Sequence, residues 1–101
     1  MDYNLDVSIE AHEDTDGIAE YITQKLFNPS AAASFLDDVH TSYLRLKENP
    51  YIYSLCQDSR LQAMGYRKAV IKNYIILFRI EGKTVHVVRI VYGGRNYADL
   101  V

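Results

Sequence analysis

The sequence predicts an α+β fold of order β-α-α-β-β-β, in which a helical hairpin packs on one face of a mainly antiparallel four-stranded sheet. Two observations carry this prediction. Apolar residues recur at helical spacing through most of the first half, and from Gly65 onward they alternate every second residue. A length of 101 residues allows one modest hydrophobic core, so we expect residues 1–101 to form a single domain.

The first half contains one strand and two helices. Leu5, Val7 and Ile9 alternate with polar residues, as in a half-buried strand. The stretch 10–27 follows with apolar residues at helical spacing and acidic residues in its first turns. Asn28-Pro29 then supplies an N-cap and a proline tolerated at the first helical position, and Asn49-Pro50 ends the second helix. The apolar stripe of this helix comprises Ala32, Leu36, Val39, Tyr43 and Leu46.

The second half reads as three strands. Residues 51–64 show no clear period, so we expect an irregular connection there. Strands are predicted at 66–72, 74–81 and 84–92, with turns at Lys72-Asn73 and Gly82-Lys83.

Two-residue alternation assigns the side chains of these strands to two faces. Tyr74, Ile76, Phe78 and Ile80 are all apolar and are predicted to pack under the helices. In the last strand, Arg89 is placed on the open side because burying an unpaired charge is costly. The same alternation puts Val85, Val87 and Val91 on the open side, and His86, Val88, Ile90 and Tyr92 on the core side. In the first hairpin strand, Ala69 and Ile71 suit the core and the remaining side chains turn outward.

The predicted open face is therefore basic and edged by aromatic residues. It gathers Lys68, Lys72, Arg79 and Arg89, with Tyr66, Arg95 and Tyr97 at its edge. Charge is divided along the chain in the same sense: residues 1–50 carry three Lys/Arg against ten Asp/Glu, a net of −7, and residues 51–101 carry eight against three, a net of +5. Either the second half presents a basic surface to an anionic partner, or the two halves attract each other.

Several classes of protein are excluded by composition. The single cysteine, Cys56, forms no internal disulfide, which indicates an inert thiol and a reducing, cytoplasmic location. No apolar run approaches the roughly 18 residues of a membrane span, and the acidic start does not resemble a signal peptide. His12, His40 and His86 lack metal-ligand spacing, so we expect no metal, and no glycine-rich motif indicates a cofactor.

A basic face of this kind has the residue types that metal-independent RNA cleavage requires. That reaction needs a base for the 2′-hydroxyl, a cation for the phosphorane and an acid for the leaving oxygen. Lys68 is the candidate base if repulsion from Lys72 and Arg79 favours its neutral form. Arg79 and Arg95 are candidates to hold the phosphate. Tyr66, Lys72, Arg89 and Tyr97 are candidates to bind RNA or another target. The alternative is a solvated cationic face without chemistry.

The runs GYRKAVIKNYIILFRI and VVRIVYGGRNY, together with KENPYIYSL, resemble the RelE/ParE superfamily of bacterial type II toxins. The N-terminal VSIEAHED and the helix NPSAAASFLDDV fit the same pattern, so the resemblance covers nearly the whole chain. It implies a toxin encoded beside an antitoxin that wraps and neutralises it. RelE-like members cleave mRNA on the ribosome through cations on the open sheet face, and ParE-like members inhibit DNA gyrase.

Carried over to this chain, Lys68 matches a RelE-like lysine on the first hairpin strand, and Arg95 matches the arginine after the glycine turn. The chain departs from the RelE-like pattern at two places. Ile75 stands after Tyr74 where nucleases often have arginine. Val101 stands near the place of the catalytic C-terminal tyrosine, which has no clear counterpart here; Tyr97 is a candidate substitute. The leading hypothesis is a toxin that cleaves mRNA on the ribosome. The alternatives are a non-enzymatic gyrase inhibitor and an RNA-binding adaptor.

Overall fold

A computed structural model describes residues 2–101 and confirms the predicted order of the main elements. The strands are β1 (Asn4–Val7), β2 (Arg67–Ile71), β3 (Tyr74–Glu81) and β4 (Thr84–Tyr92). The helices are α1 (Ile9–Gln24), α2 (Pro29–Glu48) and the short α3 (Ser59–Ala63), with 3₁₀ turns at Pro50–Ile52 and Tyr97–Leu100. Within residues 2–101, no helix has both the length and the apolar character to cross a membrane.

The four strands form one mixed sheet in the order β1-β4-β3-β2. β1 runs parallel to β4, and the other two pairs are antiparallel. α1 and α2 cover one face, where Phe35, Leu46, Ile76, Phe78 and Val85 are fully buried or nearly so. The face of the sheet turned away from these helices is called the distal face below.

Side chains cap both long helices: the cap of α2 is at the predicted residue, and the cap of α1 is Ser8, which lies within the predicted first strand. The Ser8 hydroxyl accepts from the Ala11 N–H at 3.0 Å at the start of α1. The Asn28 side chain accepts from the Ala31 N–H at 3.1 Å at the start of α2. α1 ends at Gln24, three residues before the predicted end, and Phe27 adopts a left-handed conformation with φ of 51° in the connection.

The predicted stripe of α2 is wrong at one position. Leu36 is 43% exposed, and the neighbouring Phe35 is buried in its place and stacks edge-on against Tyr74 at 5.2 Å. A 3.6-residue period allows either neighbour to point inward, and the bulkier ring fills the space above the sheet.

α3 and the residues after β4 form a second layer that the sequence pattern did not reveal. Residues 97–101, called the C-terminal segment below, pack with α3 on the distal face. Beneath them lies a cluster of six buried residues: Cys56, Leu61, Tyr66, Ile75, Leu77 and Val91. The distal face is therefore covered at its centre by apolar residues.

A bulge in β4 breaks the alternation on which the face assignments depend. Phe78 pairs with Val87, but the preceding Leu77 pairs with Arg89, so Val88 is an extra residue. Upstream of it, Val85 and Val87 contact the helices; downstream, Ile90 does so. The prediction that Val85 and Val87 lie on the open face is therefore wrong, and so is the core-side placement of His86 and Val88.

Candidate functional site

The predicted basic face is not a single cationic surface. Lys72 lies on the α2 side, where its Nζ is 3.3 Å from Asp38 Oδ2 and donates to Ser34 Oγ at 2.8 Å. The outward prediction for Lys72 is wrong because this residue occupies the turn, with φ of 52°, and not the pleated strand. Lys72 therefore does not lie beside Lys68 on the distal face, where its charge was predicted to favour the neutral form of Lys68.

Arg89 is held by a carboxylate from α1. Its Nε donates to Asp14 Oδ2 at 2.7 Å and its Nη2 donates to Oδ1 at 2.9 Å, a two-pronged contact. The hydrogen bond from Asp14 raises the pKa of Arg89 further, so the guanidinium stays charged. The prediction of Arg89 as a free cation on the open face is wrong. Its charge is satisfied within the chain.

Arg79 lies on the distal face, as predicted, within a cluster that also contains acids. Its Nη1 is 3.5 Å from Glu81 Oε2. His86 stands beside them, with its Nδ1 3.0 Å from Asp6 Oδ2 and its Nε2 3.6 Å from Glu81 Oε1. This cluster ties β1, β3 and β4 together. Because Glu81 balances the charge of Arg79, that charge is not free to meet a ligand.

Lys68 and Arg95 are the two candidate cations with no carboxylate at salt-bridge distance among residues 2–101. Lys68 is half-buried on β2, opposite Leu77, and Arg95 is exposed after the end of β4. Burial raises the pKa of the Cys56 thiol, an effect that the nearby charge of Lys68 partly offsets. The fully buried Cys56 has the environment of an unreactive thiol.

The two candidate tyrosines are drawn into the apolar layer. Tyr66 is 8% exposed within the distal cluster, so it offers no ring for stacking on a base. Tyr97 packs against the same cluster, and burial raises the pKa of its phenol. The Arg60 guanidinium holds the C-terminal segment in place by donating to the main-chain oxygens of Ala98 and Val101. In the described chain, no three His, Cys, Asp or Glu side chains are grouped to hold a metal ion.

A groove that the sequence did not indicate lies between α1 and the second half of β4. It encloses about 680 Å³. Its walls include Gly17 and Tyr21 of α1, Leu26 of the connection, and Tyr92 and Arg95 at the end of the sheet. Tyr21, Leu26 and Tyr92 are each more than half exposed. The one available sequence signal was Gly17, a glycine in the interior of a predicted helix.

The chain is similar to a family of known toxins over most of its length. The family model described as the ParE toxin of the type II toxin–antitoxin system parDE matches residues 5–97. No curated protein is similar enough in sequence to count as a match.

Several solved structures of bacterial toxins and toxin–antitoxin complexes have the same fold. A chromosomal ParDE toxin–antitoxin system of P. aeruginosa matches with a TM-score of 0.73 and 19% identity, over 89% of this chain and 95% of that one. The RelBE2 toxin–antitoxin complex of Mycobacterium tuberculosis matches with a TM-score of 0.63 and 19% identity, over 91% and 99%. YafQ of E. coli strain BL21(DE3) matches with a TM-score of 0.59 and 17% identity, over 91% and 94%.

Proposed function

Because the chain belongs to the ParE toxin family of type II toxin–antitoxin systems, we propose that it arrests growth by binding and inhibiting DNA gyrase, without cutting RNA. The observation that carries this choice is the separate neutralisation of the predicted RNA-binding cations. Arg79, Lys72 and Arg89 each lie against a carboxylate of the same chain. A charge already satisfied in the ground state adds little at a phosphorane.

The cover over the distal face supports the same choice. The base, the phosphate-holding cation and the acid of an RNA-cleaving site must converge on one phosphate. Here the centre of that face is filled by Leu77, Tyr66 and the C-terminal segment. A broad surface of this kind suits protein–protein contact better than it suits in-line attack on a phosphodiester.

The second candidate is mRNA cleavage on the ribosome. Lys68 and Arg95 favour it, since both correspond to RelE-like positions and neither has a carboxylate partner in the described chain. In that mechanism Lys68 acts as the base and Arg95 stabilises the phosphorane, with Tyr97 as the hydroxyl donor.

The proposed partner of the toxin is a cognate antitoxin. Support comes from the structural relatives, of which the ParDE system, RelBE2 and the DinJ–YafQ pair of E. coli are described as toxin–antitoxin systems or complexes. Bound to the chain, the antitoxin neutralises the toxin until it is removed.

The test is induction of the chain in bacteria, with primer extension on total RNA and a supercoiling assay of gyrase with purified protein. We expect growth arrest, intact transcripts and loss of supercoiling. Lys68→Ala, Arg95→Ala and the control Lys25→Ala, an exposed cation of the α1–α2 connection, are run in parallel. If the wild-type chain instead produces codon-phased breaks in transcripts, and these fall about 10²-fold in Lys68→Ala and Arg95→Ala but not in Lys25→Ala, the function is mRNA cleavage and not gyrase inhibition. Normal growth of cells that contain the soluble protein would contradict both gyrase inhibition and mRNA cleavage.

A further inference from the structure

A row of cations and aromatic rings crosses the end of the sheet at which β1, β2 and β4 begin. Lys83 Nζ lies 4.9 Å from the centroid of the Tyr3 ring. The rings of Tyr3 and Tyr51 meet edge-on with their centroids 6.2 Å apart. At the other end of the row, the guanidinium carbon of Arg67 lies 5.1 Å from the centroid of the Tyr51 ring. These four residues, called the tyrosine row below, have no part in the toxin activity proposed above.

Main-chain hydrogen bonds fix the tyrosine row in place. The Tyr3 N–H donates to the Lys47 C=O in the last turn of α2, and the next N–H donates to the Lys83 C=O, both at 2.7 Å. Tyr51 lies in the 3₁₀ turn that directly follows α2. Arg67 is tied to the residue after this turn, because its Nη1 donates to the Tyr53 C=O at 2.6 Å. The row is therefore organised before any ligand arrives, which lowers the entropy cost of binding one.

The cations of the tyrosine row are not neutralised by the chain. Among residues 2–101, neither Lys83 nor Arg67 has a carboxylate at salt-bridge distance, and the same holds for Lys47 beside Tyr3. Glu81, the acid before the β3–β4 turn, is engaged on the distal face by its own salt bridges. Although the whole chain has a net charge of −2, this end of the sheet therefore carries three positive charges that can attract an anion.

Tyr51 is the open ring of the row. Its side chain lies under the Arg67 guanidinium, yet the residue is 55% exposed. Tyr3 is half-buried and packs against the core below the helices, so it supports Tyr51 from the protein side. A contact that only fastened the start of the chain to this turn would need neither an exposed ring nor unpaired cations. An exposed ring between such cations is suited to stacking of a base while the cations hold phosphates.

The row is a separate surface from the one that carries the predicted cleavage residue Lys68. Arg67 pairs with Phe78, whose side chain packs under the helices, and Lys68 pairs with Leu77 of the distal cluster. Successive side chains of a strand point to opposite faces. A ligand held by Arg67 therefore does not occupy the place predicted for RNA cleavage.

From this geometry we propose that the tyrosine row binds single-stranded nucleic acid, with a base stacked on Tyr51 and phosphates held by Lys83 and Arg67. Lys47 adds a third positive charge at the rim. The binding is tolerant of sequence, because every base has a face that stacks on an aromatic ring. This activity goes beyond gyrase inhibition and does not depend on it.

The first test measures binding of labelled oligonucleotides to the full chain by fluorescence anisotropy. The probes are oligothymidine, oligouridine and an abasic strand of the same charge, each of about 12 nucleotides, a length within the usual range of single-strand sites. We expect the abasic strand to bind at least fivefold more weakly than the strands with bases. Tyr51→Ala is expected to raise the Kd of the strands with bases at least fivefold and to leave the abasic Kd within twofold.

The matched aromatic control is Phe27→Ala. Phe27 is 85% exposed and lies before α2, whereas Tyr51 lies after it, so the 20 residues of this helix separate the two rings by about 30 Å. We expect this variant to bind all three strands within twofold of the wild-type chain. Melting temperatures of both variants are measured alongside, and the comparison with the abasic strand needs no variant at all.

The second test measures how salt weakens binding of oligothymidine. Each phosphate contact to a single strand contributes about −0.7 to the slope of log K against log salt concentration. Lys83→Ala is therefore expected to make this slope shallower by about 0.7. The control Lys25→Ala changes an exposed cation of the α1–α2 connection and is expected to leave the slope unchanged.

Three outcomes overturn the proposal: no binding of either oligonucleotide at low salt, equal Kd values for the abasic strand and the strands with bases, or a folded Tyr51→Ala chain that binds like the wild type. Binding of oligoglutamate as tight as that of oligothymidine also overturns it, since the surface would then select charge alone. Tighter binding of either the thymidine or the uridine strand upholds the proposal and identifies the preferred sugar. The growth and supercoiling assays report separately on gyrase inhibition.

Discussion

Asp14 connects α1 to the part of β4 that β1 does not reach. Its carboxylate accepts hydrogen bonds from Nε and Nη2 of Arg89 and from the Ile90 N–H. The Asp14 side chain is 16% exposed. The contact spans 75 residues in sequence, so neither partner could be assigned to the other from the sequence pattern. This single residue explains why the predicted cation at position 89 is unavailable for a phosphate.

Replacement of Asp14 is expected to destabilise the fold. In Asp14→Ala, Arg89 and the Ile90 N–H lose their acceptor in a partly buried place. Hydrogen bonds to charged groups contribute about 1.5–3 kcal/mol, so we expect a loss of about 2 kcal/mol in the free energy of unfolding. Urea denaturation measures it, with the exposed Glu20→Ala on the same helix expected to stay within about 0.5 kcal/mol. A loss below about 0.5 kcal/mol in Asp14→Ala would contradict this role.

Tyr43 on α2 makes the free energy of unfolding depend on pH in the alkaline range. Burial raises the pKa of its phenol from 10.0 to about 12, an effect that the Thr15 hydroxyl partly opposes. In the unfolded chain the phenol loses its proton near pH 10, while the folded chain keeps the neutral form. The stabilisation is therefore fully present below pH 10 and is lost as the pH rises towards 12. In Tyr43→Phe, we expect urea midpoints to fall less across this window; an equal fall in both proteins contradicts the assignment.

At the scale of elements, long regular segments were predictable and short or irregular ones were not. The cap Asn28 and the turn at Gly82 are local signals, and the structure uses each of them. α3 has five residues, too few for a 3.6-residue period to show. The packing of the C-terminal segment on the distal face depends on Arg60, 38 and 41 residues before its acceptors, and no local pattern encodes it.

The C-terminal segment is expected to open when Arg60 is removed. Arg60→Ala loses two charged hydrogen bonds to this segment, which covers the buried Cys56. Discounted for exposure, the lost bonds contribute about 1.4 kcal/mol, which corresponds to a tenfold rise in the open population. The rate of Cys56 modification by a thiol reagent is therefore expected to rise about tenfold. Arg45→Ala, an exposed cation of α2, is expected to leave that rate unchanged. Equal rates in all three proteins would refute this function of Arg60.

At the scale of the whole molecule, part of the charge difference between the two halves is satisfied within the chain. Lys72 and Arg89 from the basic half meet Asp38 and Asp14 from the acidic half. The sequence left open whether the polarity serves a partner or internal attraction, since net charge counts residues without their positions. The structure favours internal attraction for these pairs. Among the five candidate cations, it leaves Lys68 and Arg95 without a carboxylate partner in residues 2–101.

We propose that residues 2–101 unfold as one cooperative unit. Each of β3 and β4 sends side chains into both apolar clusters, for example Ile76 into one and the neighbouring Leu77 into the other. Loss of either cluster therefore disturbs the strands that support the second. We expect coincident thermal transitions of secondary structure and tyrosine environment, and a calorimetric enthalpy equal to the van't Hoff enthalpy. A separate, earlier transition of the tyrosine signal would show that the clusters unfold independently.

The extra residue at Val88 affects how related sequences should be aligned with this one. It shifts the alternation of inward and outward side chains in β4 by one residue. Val85 and Val87 before it face α1 and α2, and so does Ile90 after it. A homologue without the insertion would carry one residue fewer in this strand. An ungapped alignment through it would then exchange inward and outward positions for every residue up to Tyr92. In an alignment with such a homologue, the gap belongs at position 88, because only there does the exchange disappear.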